Sequence, residues 1–248
     1  MKIVPVIDLQ HGIVVHGIAG EREKYRPLES CLVSPVMPKA LAEAFFQRFG
    51  FSSLYVADLD AIAGRPPNLA AYREMTFPGI TLWLDAGTGN CRTAQRLLAL
   101  CADHGIQPHL IVGLESLCSA DELCPLVETI GVDRAIFSLD LKGTRLLTLI
   151  KAWRQVSPLS VAKVVHAAGF RRMIVLDLAD VGISQGTGTL PLLRELHQHL
   201  PDVELITGGG IRGTDDLGPL ADAGCSVALV ASALHRGALP PHLQTWRS

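Results

Sequence analysis

Two aspartates each close a short apolar run: Asp8 after Val6-Ile7, and Asp140 after Phe137-Ser138-Leu139. Two carboxyls held over one ligand suit general acid–base work, because apolar surroundings can keep one protonated while the other stays ionised. For one such residue a loop cap or ion-pair partner is an equal reading; at duplicated positions a catalytic pair is the expectation. Further on, Gly208-Gly209-Gly210-Ile211-Arg212-Gly213 and Val230-Ala231-Ser232-Ala233-Leu234 end two more apolar runs in small residues. A glycine triplet admits an anion close to the backbone, and free N–H groups at a helix start add donors and a favourable dipole. Gly208, Gly209, Gly210, Ala231 and Ser232 are therefore the candidate phosphate cradle, the plain alternative being a tight turn. Asp215 and Asp216 are expected to support the following helix.

The elements that must position these groups alternate. Segments 2–9, 53–58, 80–85, 107–113, 134–140, 172–178, 203–207 and 226–231 are predicted strands, apolar through their middles as in a parallel sheet covered on both faces. Helical windows fall at 38–49, 92–102, 119–129, 160–168, 190–200 and 214–223, the last with an acidic first turn. Eight β–α alternations in 248 residues, without a linker, predict one closed (β/α)8 barrel spanning 1–248. An open doubly wound sheet is the alternative, but no G-x-G-x-x-G follows the first strand. Asp8 and Asp140, Asp58 and Asp177, Asp85 and Gly208, and Val112 and Val230 all recur roughly half a chain apart, so the barrel is expected to consist of two similar (β/α)4 halves. Strands one and five then face each other across the mouth. Asp58, Asp85, Glu115, Lys142 and Asp177, near the ends of other strands, are the candidate substrate contacts.

Composition narrows the partners. A formal charge of −2 gives no electrostatic case for nucleic acid or an anionic membrane, and no apolar stretch is long enough to span a bilayer. Six cysteines lack C-x-x-C spacing, and the histidines lack metal-ligand spacing, His11 and His16 merely flanking the first strand. With a strand starting directly at the N-terminus, these features lead us to expect a cytoplasmic protein acting on a phosphorylated small molecule, with no metal and no cofactor. Oligomeric state is not readable.

Val6-Ile7-Asp8-Leu9, Val56-Ala57-Asp58-Leu59-Asp60 with Gly64 and Pro67-Asn68, Ser138-Leu139-Asp140, Gly208 to Arg212, and Ala233-Leu234 together resemble the histidine-biosynthesis barrels, above all the ProFAR isomerase group. The resemblance covers nearly the whole chain. It implies an Amadori rearrangement: Asp140 protonates the ring oxygen of an aminoaldose, and Asp8 removes the C2 proton. The cyclase branch is less similar, since its strand-one lysine beside a cysteine-containing segment is missing here.

Departures from the pattern point to a different substrate. Where the group holds a first phosphate with Gly-Gly-Gly-Ile-Arg after strand three, this chain has Asp85-Ala86-Gly87-Thr88-Gly89, and Glu115 replaces a Gly-Thr-Ala after strand four. Like charges about 4 Å apart repel by roughly 4 kcal/mol at an effective dielectric of 20. Asp85 and Glu115 are thus expected to meet a cationic or hydroxyl-rich end of a singly phosphorylated substrate, or to pair with the basic segment 22–26, read as a mobile loop. After strand six the group's threonine and acid are replaced by Leu176 and by Val181-Gly182-Ile183. Trp153 is expected to place an indole over a flat ligand. Lys142 opens a Schiff-base alternative, against a solvent-facing lysine. A second functional expectation is a divergent paralogue, isomerase or Schiff-base lyase, in biosynthesis of a folate-like one-carbon carrier, where similar barrels occur; a third is a barrel that binds a phosphorylated ligand or a partner without catalysis.

Overall fold

A computed structural model describes residues 1–18, 20–182, 186–243 and 245–246, with the side chain of Arg22 left aside. Eight parallel strands form its centre: β1 (Lys2–Gln10), β2 (Ser53–Asp58), β3 (Thr81–Asp85), β4 (His109–Gly113), β5 (Ala135–Lys142), β6 (Arg172–Asp177), β7 (Glu204–Gly208) and β8 (Cys225–Val230). Each pairs with the next, and Lys2↔Val227 through Pro5↔Val230 joins β1 to β8, closing the ring. The (β/α)8 barrel expected from the alternation is the fold. Helices follow the strands: α1 (Pro38–Phe49), α2 (Leu69–Met75), α3 (Cys91–Asp103), α4 (Leu123–Ile130), α5 (Pro158–Ala167), α6 (Leu190–His199), α7 (Leu217–Asp222) and the four-residue α8 (Ser232–His235). No described helix is long and apolar enough to cross a membrane, and all six cysteines are free thiols.

Two apolar layers hold this arrangement. The larger lies between sheet and helices and includes Phe45, Phe49, Leu110, Phe137 and Phe170. The smaller fills the barrel itself, with Val4, Tyr55, Trp83, Ile111, Ile136 and Ile174 among its members. Because side chains alternate along a strand, the inward set fixes the parity of everything beyond it. Val4, Val6 and Asp8 share one face of β1, Ile136, Ser138 and Asp140 one face of β5, and Trp83 and Asp85 one face of β3. At the far end of the barrel Trp83 stacks on His109, with the Arg172 guanidinium 4.4 Å from its ring centre, so that end is plugged.

The segment expected to be a mobile loop after β1 is folded instead. Ile13–His16 turns back antiparallel to β1, with Asp8 opposite Val15, and Arg26–Pro27 pairs with it in turn. Between them Arg22–Lys24 forms one turn of 3-10 helix, with the Lys24 ammonium 2.6 Å from Glu21. Hydrogen bonding to a hairpin seated on β1 orders what polarity alone marks as loop. Trp153 also departs from expectation. It is buried in the outer apolar layer rather than standing over the mouth, since it lies in a turn, Lys151–Trp153, that packs back towards the sheet.

Candidate active site

A cavity of about 590 Å³ opens at the carboxyl ends of the strands. Both Asp8 and Asp140 line it, from strands that are four places apart either way round the ring. Their environments differ. Asp140 is 6% exposed, accepts a hydrogen bond from the Ser138 hydroxyl at 2.6 Å, and accepts a long one from the Glu115 N–H at 3.4 Å. Burial is the largest influence on its acidity, and the nearby Glu115 and Asp85 carboxylates add to it; together they push its pKa up to about 8, against the pull of Ser138. At neutral pH Asp140 is therefore a carboxylic acid with a proton to give. Asp8 is half-buried, a setting in which a carboxylate keeps access to water.

Tyr55 lines the same cavity as the two acids. It is buried in the barrel and its O–H donates to Asp85 Oδ2 at 3.2 Å. Burial, then Asp85, Asp140 and Asp8, all raise its pKa, so it remains a hydrogen-bond donor. Asp85 and Glu115 line the same cavity, as does Lys142, whose side chain is exposed. That exposure removes the desolvation which activates a Schiff-base lysine.

Across the mouth, Gly208, Gly209, Gly210, Ala231 and Ser232 all line the cavity. Gly209 and Gly210 have φ of 81° and 76°, a left-handed pair that glycine adopts without strain. Gly210 also lies directly against the Gly186 carbonyl, where any side chain would collide. Arg212 does not join the cradle. Its guanidinium forms 2.6 and 3.1 Å bonds with Asp216, which also accepts the Arg212 N–H at 2.7 Å. Asp216 thus supports this corner by holding Arg212. Two histidines absent from the expected set border the cradle, His16 and His235. His235 is buried, with Nδ1 3.0 Å from the Ser30 hydroxyl, and burial followed by His16 pushes its pKa down to about 4. His235 sits one residue past Leu234, and His16 lies in the unpredicted hairpin; only the fold brings them together.

Two of the expected substrate contacts do not reach the cavity. Asp58 is fully buried, and its carboxylate accepts from the N–H groups of Asp60, Ala61 and Asn68, from the Asn68 amide, and from the Tyr72 hydroxyl. Asp177 likewise accepts from the N–H groups of Gly143, Thr144 and Ala179. The physical reason is parity: Tyr55 and Ala57 point inward on β2, and Ile174 and Leu176 on β6, so the terminal aspartate of each strand points out. Asp58 clamps the loop that follows its strand, and Asp177 ties Ala179 of its own loop to Gly143 and Thr144 of the loop after β5. Leu176, Val181 and Gly182 line the cavity; Ile183 lies outside the described residues.

Gly17 leaves no room for a side chain beside Asp8. A Cβ added there would stand 2.5 Å from Asp8 Oδ2 and 3.6 Å from the Tyr25 ring. The atom that must yield is the carboxylate oxygen of the acid itself. Gly17→Ala is therefore expected to lower kcat by about 10²-fold by displacing one reacting group, with an unchanged melting curve. Activity and melting temperature falling together would instead indicate damage to the fold.

Comparison with known proteins gives a consistent picture. A family model described as "Histidine biosynthesis protein" matches residues 2–240. An uncharacterised protein of Methanocaldococcus jannaschii is 30% identical over 247 residues, covering 96% of this chain and 95% of that one. Proteins named 1-(5-phosphoribosyl)-5-((5-phosphoribosylamino)methylideneamino) imidazole-4-carboxamide isomerase are similar too. The one from Lactiplantibacillus plantarum is 30% identical over 95% of this chain and 94% of its own, and the one from Deinococcus radiodurans 28% over 96% and 95%.

Proposed function

The chain belongs to the histidine biosynthesis protein family, and on that footing we propose that it is a cofactor-free isomerase of a singly phosphorylated aminoaldose. The observation that carries this reading is the contrast between Asp140, buried with its pKa at about 8, and half-buried Asp8, both facing one cavity. Asp140 gives its proton to the ring oxygen of the sugar as the C1–O bond breaks, and the nitrogen lone pair forms the C1=N iminium. Asp8 takes the proton from C2, whose bonding electrons move into C1=C2 as the iminium is neutralised. Reprotonation at C1 with loss of the enol proton gives the aminoketose, an isomer of the substrate. Nothing is oxidised or reduced overall, which is why the sequence needs no cofactor motif. The Gly208–Gly210 turn with Ala231 and Ser232 anchors the phosphate.

The name of the isomerase relatives carries two phosphoribosyl groups. A second phosphate in this mouth would meet Asp85 and Glu115 in place of glycine N–H groups, which supports a substrate with one. The test is turnover of N-alkyl ribosylamine 5-phosphates in deuterium oxide, followed by proton NMR. Conversion to the 1-amino-1-deoxyribulose 5-phosphate with solvent deuterium at C1 is expected, with turnover about 10²–10⁴-fold lower in Asp8→Asn. Absence of isomerisation across the series, or undiminished turnover in that variant, refutes the reading.

A further inference from the structure

One loop touches both the proposed base and the proposed phosphate anchor. It follows β6, and its described arms are 178–182 and 186–188. The first arm is firmly held: Leu178–Asp180 is one turn of 3-10 helix, and the Asp177 carboxylate ties the Ala179 N–H to those of Gly143 and Thr144. That arm ends against the hairpin. A Cβ added at Gly182 would stand 2.1 Å from the Gly17 carbonyl oxygen and 3.3 Å from Ile18 Cα, so the two backbones are in direct contact. Gly17 in turn abuts the Asp8 carboxylate, which lies 2.5 Å from where a Gly17 Cβ would be.

The glycine turn is contacted as closely. The Gly186 N–H donates to the Gly210 carbonyl at 3.1 Å, and the Gly186 carbonyl fills the place of any side chain on Gly210. Asp180 Cβ lies 3.5 Å from the Cβ position of Gly209, and the Asp180 carboxylate accepts the Gly188 N–H at 2.8 Å. This one side chain therefore joins the two arms and touches the turn. Asp180 does not line the cavity, so any effect it has on chemistry passes through its neighbours.

Resting on the isomerase reading, we infer that Asp180 and Gly182 are positioning residues that pass phosphate occupancy of the glycine turn to Asp8. An anion taken up at Gly208–Gly210 orders that turn. The turn is bonded to the second arm, Asp180 holds the second arm to the first, and the first seats Gly17 against Asp8. Close-packed backbone leaves little slack in which a displacement along this path is absorbed. The phosphate thus does more than add affinity. Binding energy from a part of the substrate that does not react is used to place the group that removes the C2 proton.

Amide hydrogen exchange with inorganic phosphate, followed by NMR, reads the coupling without turnover. In the parent, saturating phosphate should slow exchange at 208–213 and at hairpin residues 14–17 together. In Asp180→Ala, and in Gly182→Ala if that variant folds, the slowing at 208–213 should remain and that at 14–17 should be lost. Asp180→Asn, whose amide oxygen still accepts the Gly188 N–H, should restore it. With a ribosylamine 5-phosphate that the parent isomerises, Asp180→Ala should lower kcat by about 10²-fold and leave KM unchanged, Asp180→Asn staying close to the parent. No response at 14–17 in the parent, a response that survives Asp180→Ala, or Asp180→Asn as impaired as Asp180→Ala overturns the inference. If phosphate leaves 208–213 unchanged, the anchor and the inference fall together. If phosphate binds but no ribosylamine phosphate is isomerised, the isomerase reading alone fails, and the exchange pattern still upholds or overturns the link from the glycine turn to the residues beside Asp8.

Discussion

Asp140→Asn is expected to cost about 10²–10⁴-fold in turnover while leaving the protein as stable as its parent, or more so. The two signs follow from one fact. The folded-state pKa of Asp140 is raised from the usual 3.8 to about 8 by burial and by Glu115 and Asp85. Below the unfolded value the carboxyl is neutral in both states and its contribution to stability is fully present. As pH rises from there through about 8, the unfolded chain holds fewer protons than the native one, and that contribution is lost. Asparagine never ionises, so the variant does not suffer the loss, and its melting temperature should gain on the parent across the window from pH 4 to 8. It also has no proton to give. In the parent, kcat/KM should fall above pH 8 as the acid form disappears; in the variant the residual rate should lose that limb. Steady-state profiles and thermal melts on the same preparations check both. A variant that keeps parental turnover, or a parental profile flat through pH 9, would remove Asp140 from the role of acid.

The strands were legible because their chemistry is local. An apolar run between breakers reads as a doubly covered strand whatever surrounds it, and β2 occupies the predicted 53–58. Position within the ring was legible too, since order along the chain is order around a (β/α)8 barrel, and this put Asp8 and Asp140 opposite each other. Side-chain direction was harder. Asp8, Asp58, Asp85, Asp140 and Asp177 look alike in sequence, each at the end of an apolar run, yet one residue of register separates the inner face from the outer. A run that is apolar on both faces carries no alternation from which to read that register. Short elements escaped for another reason. The turn Leu59–Ile62, helix α2 and the four-residue α8 are too brief to show a helical period, and the first of them forms because the Asp58 carboxylate accepts its leading N–H groups. Tyr55, His16 and His235 were invisible as site residues because they come from distant segments that meet only when the sheet closes.

The outward-facing aspartates give the largest expected effect on stability, and Asp58→Ala is the sharper case. The carboxylate is fully buried and accepts N–H groups of Asp60 and Ala61 at 3.1 Å, that of Asn68 at 2.7 Å, the Asn68 amide at 2.8 Å and the Tyr72 hydroxyl. Alanine leaves these donors facing an apolar space. Each unsatisfied buried donor costs about 1–3 kcal/mol, and with some relaxation the net loss should be about 3 kcal/mol or more. In a chain of this size that is a fall of roughly 6–12 °C in melting temperature. Asp58→Asn should fall between, since its amide oxygen can still accept from Asp60 and Ala61 while its NH2 group opposes the Asn68 N–H. Were Asp58 a substrate contact, as its place at a strand end suggests from sequence, alanine would raise KM and leave the melt unmoved. Asp177, its counterpart in the other half, accepts the three N–H groups of Gly143, Thr144 and Ala179 among the described residues, so its loss should be milder and centred on the loops bearing Lys142 and Ala179. The repeated halves thus use one residue type in two ways: facing the axis it lines the mouth, where we propose that it handles protons, and facing the helices it holds in place the loops from which the mouth is built.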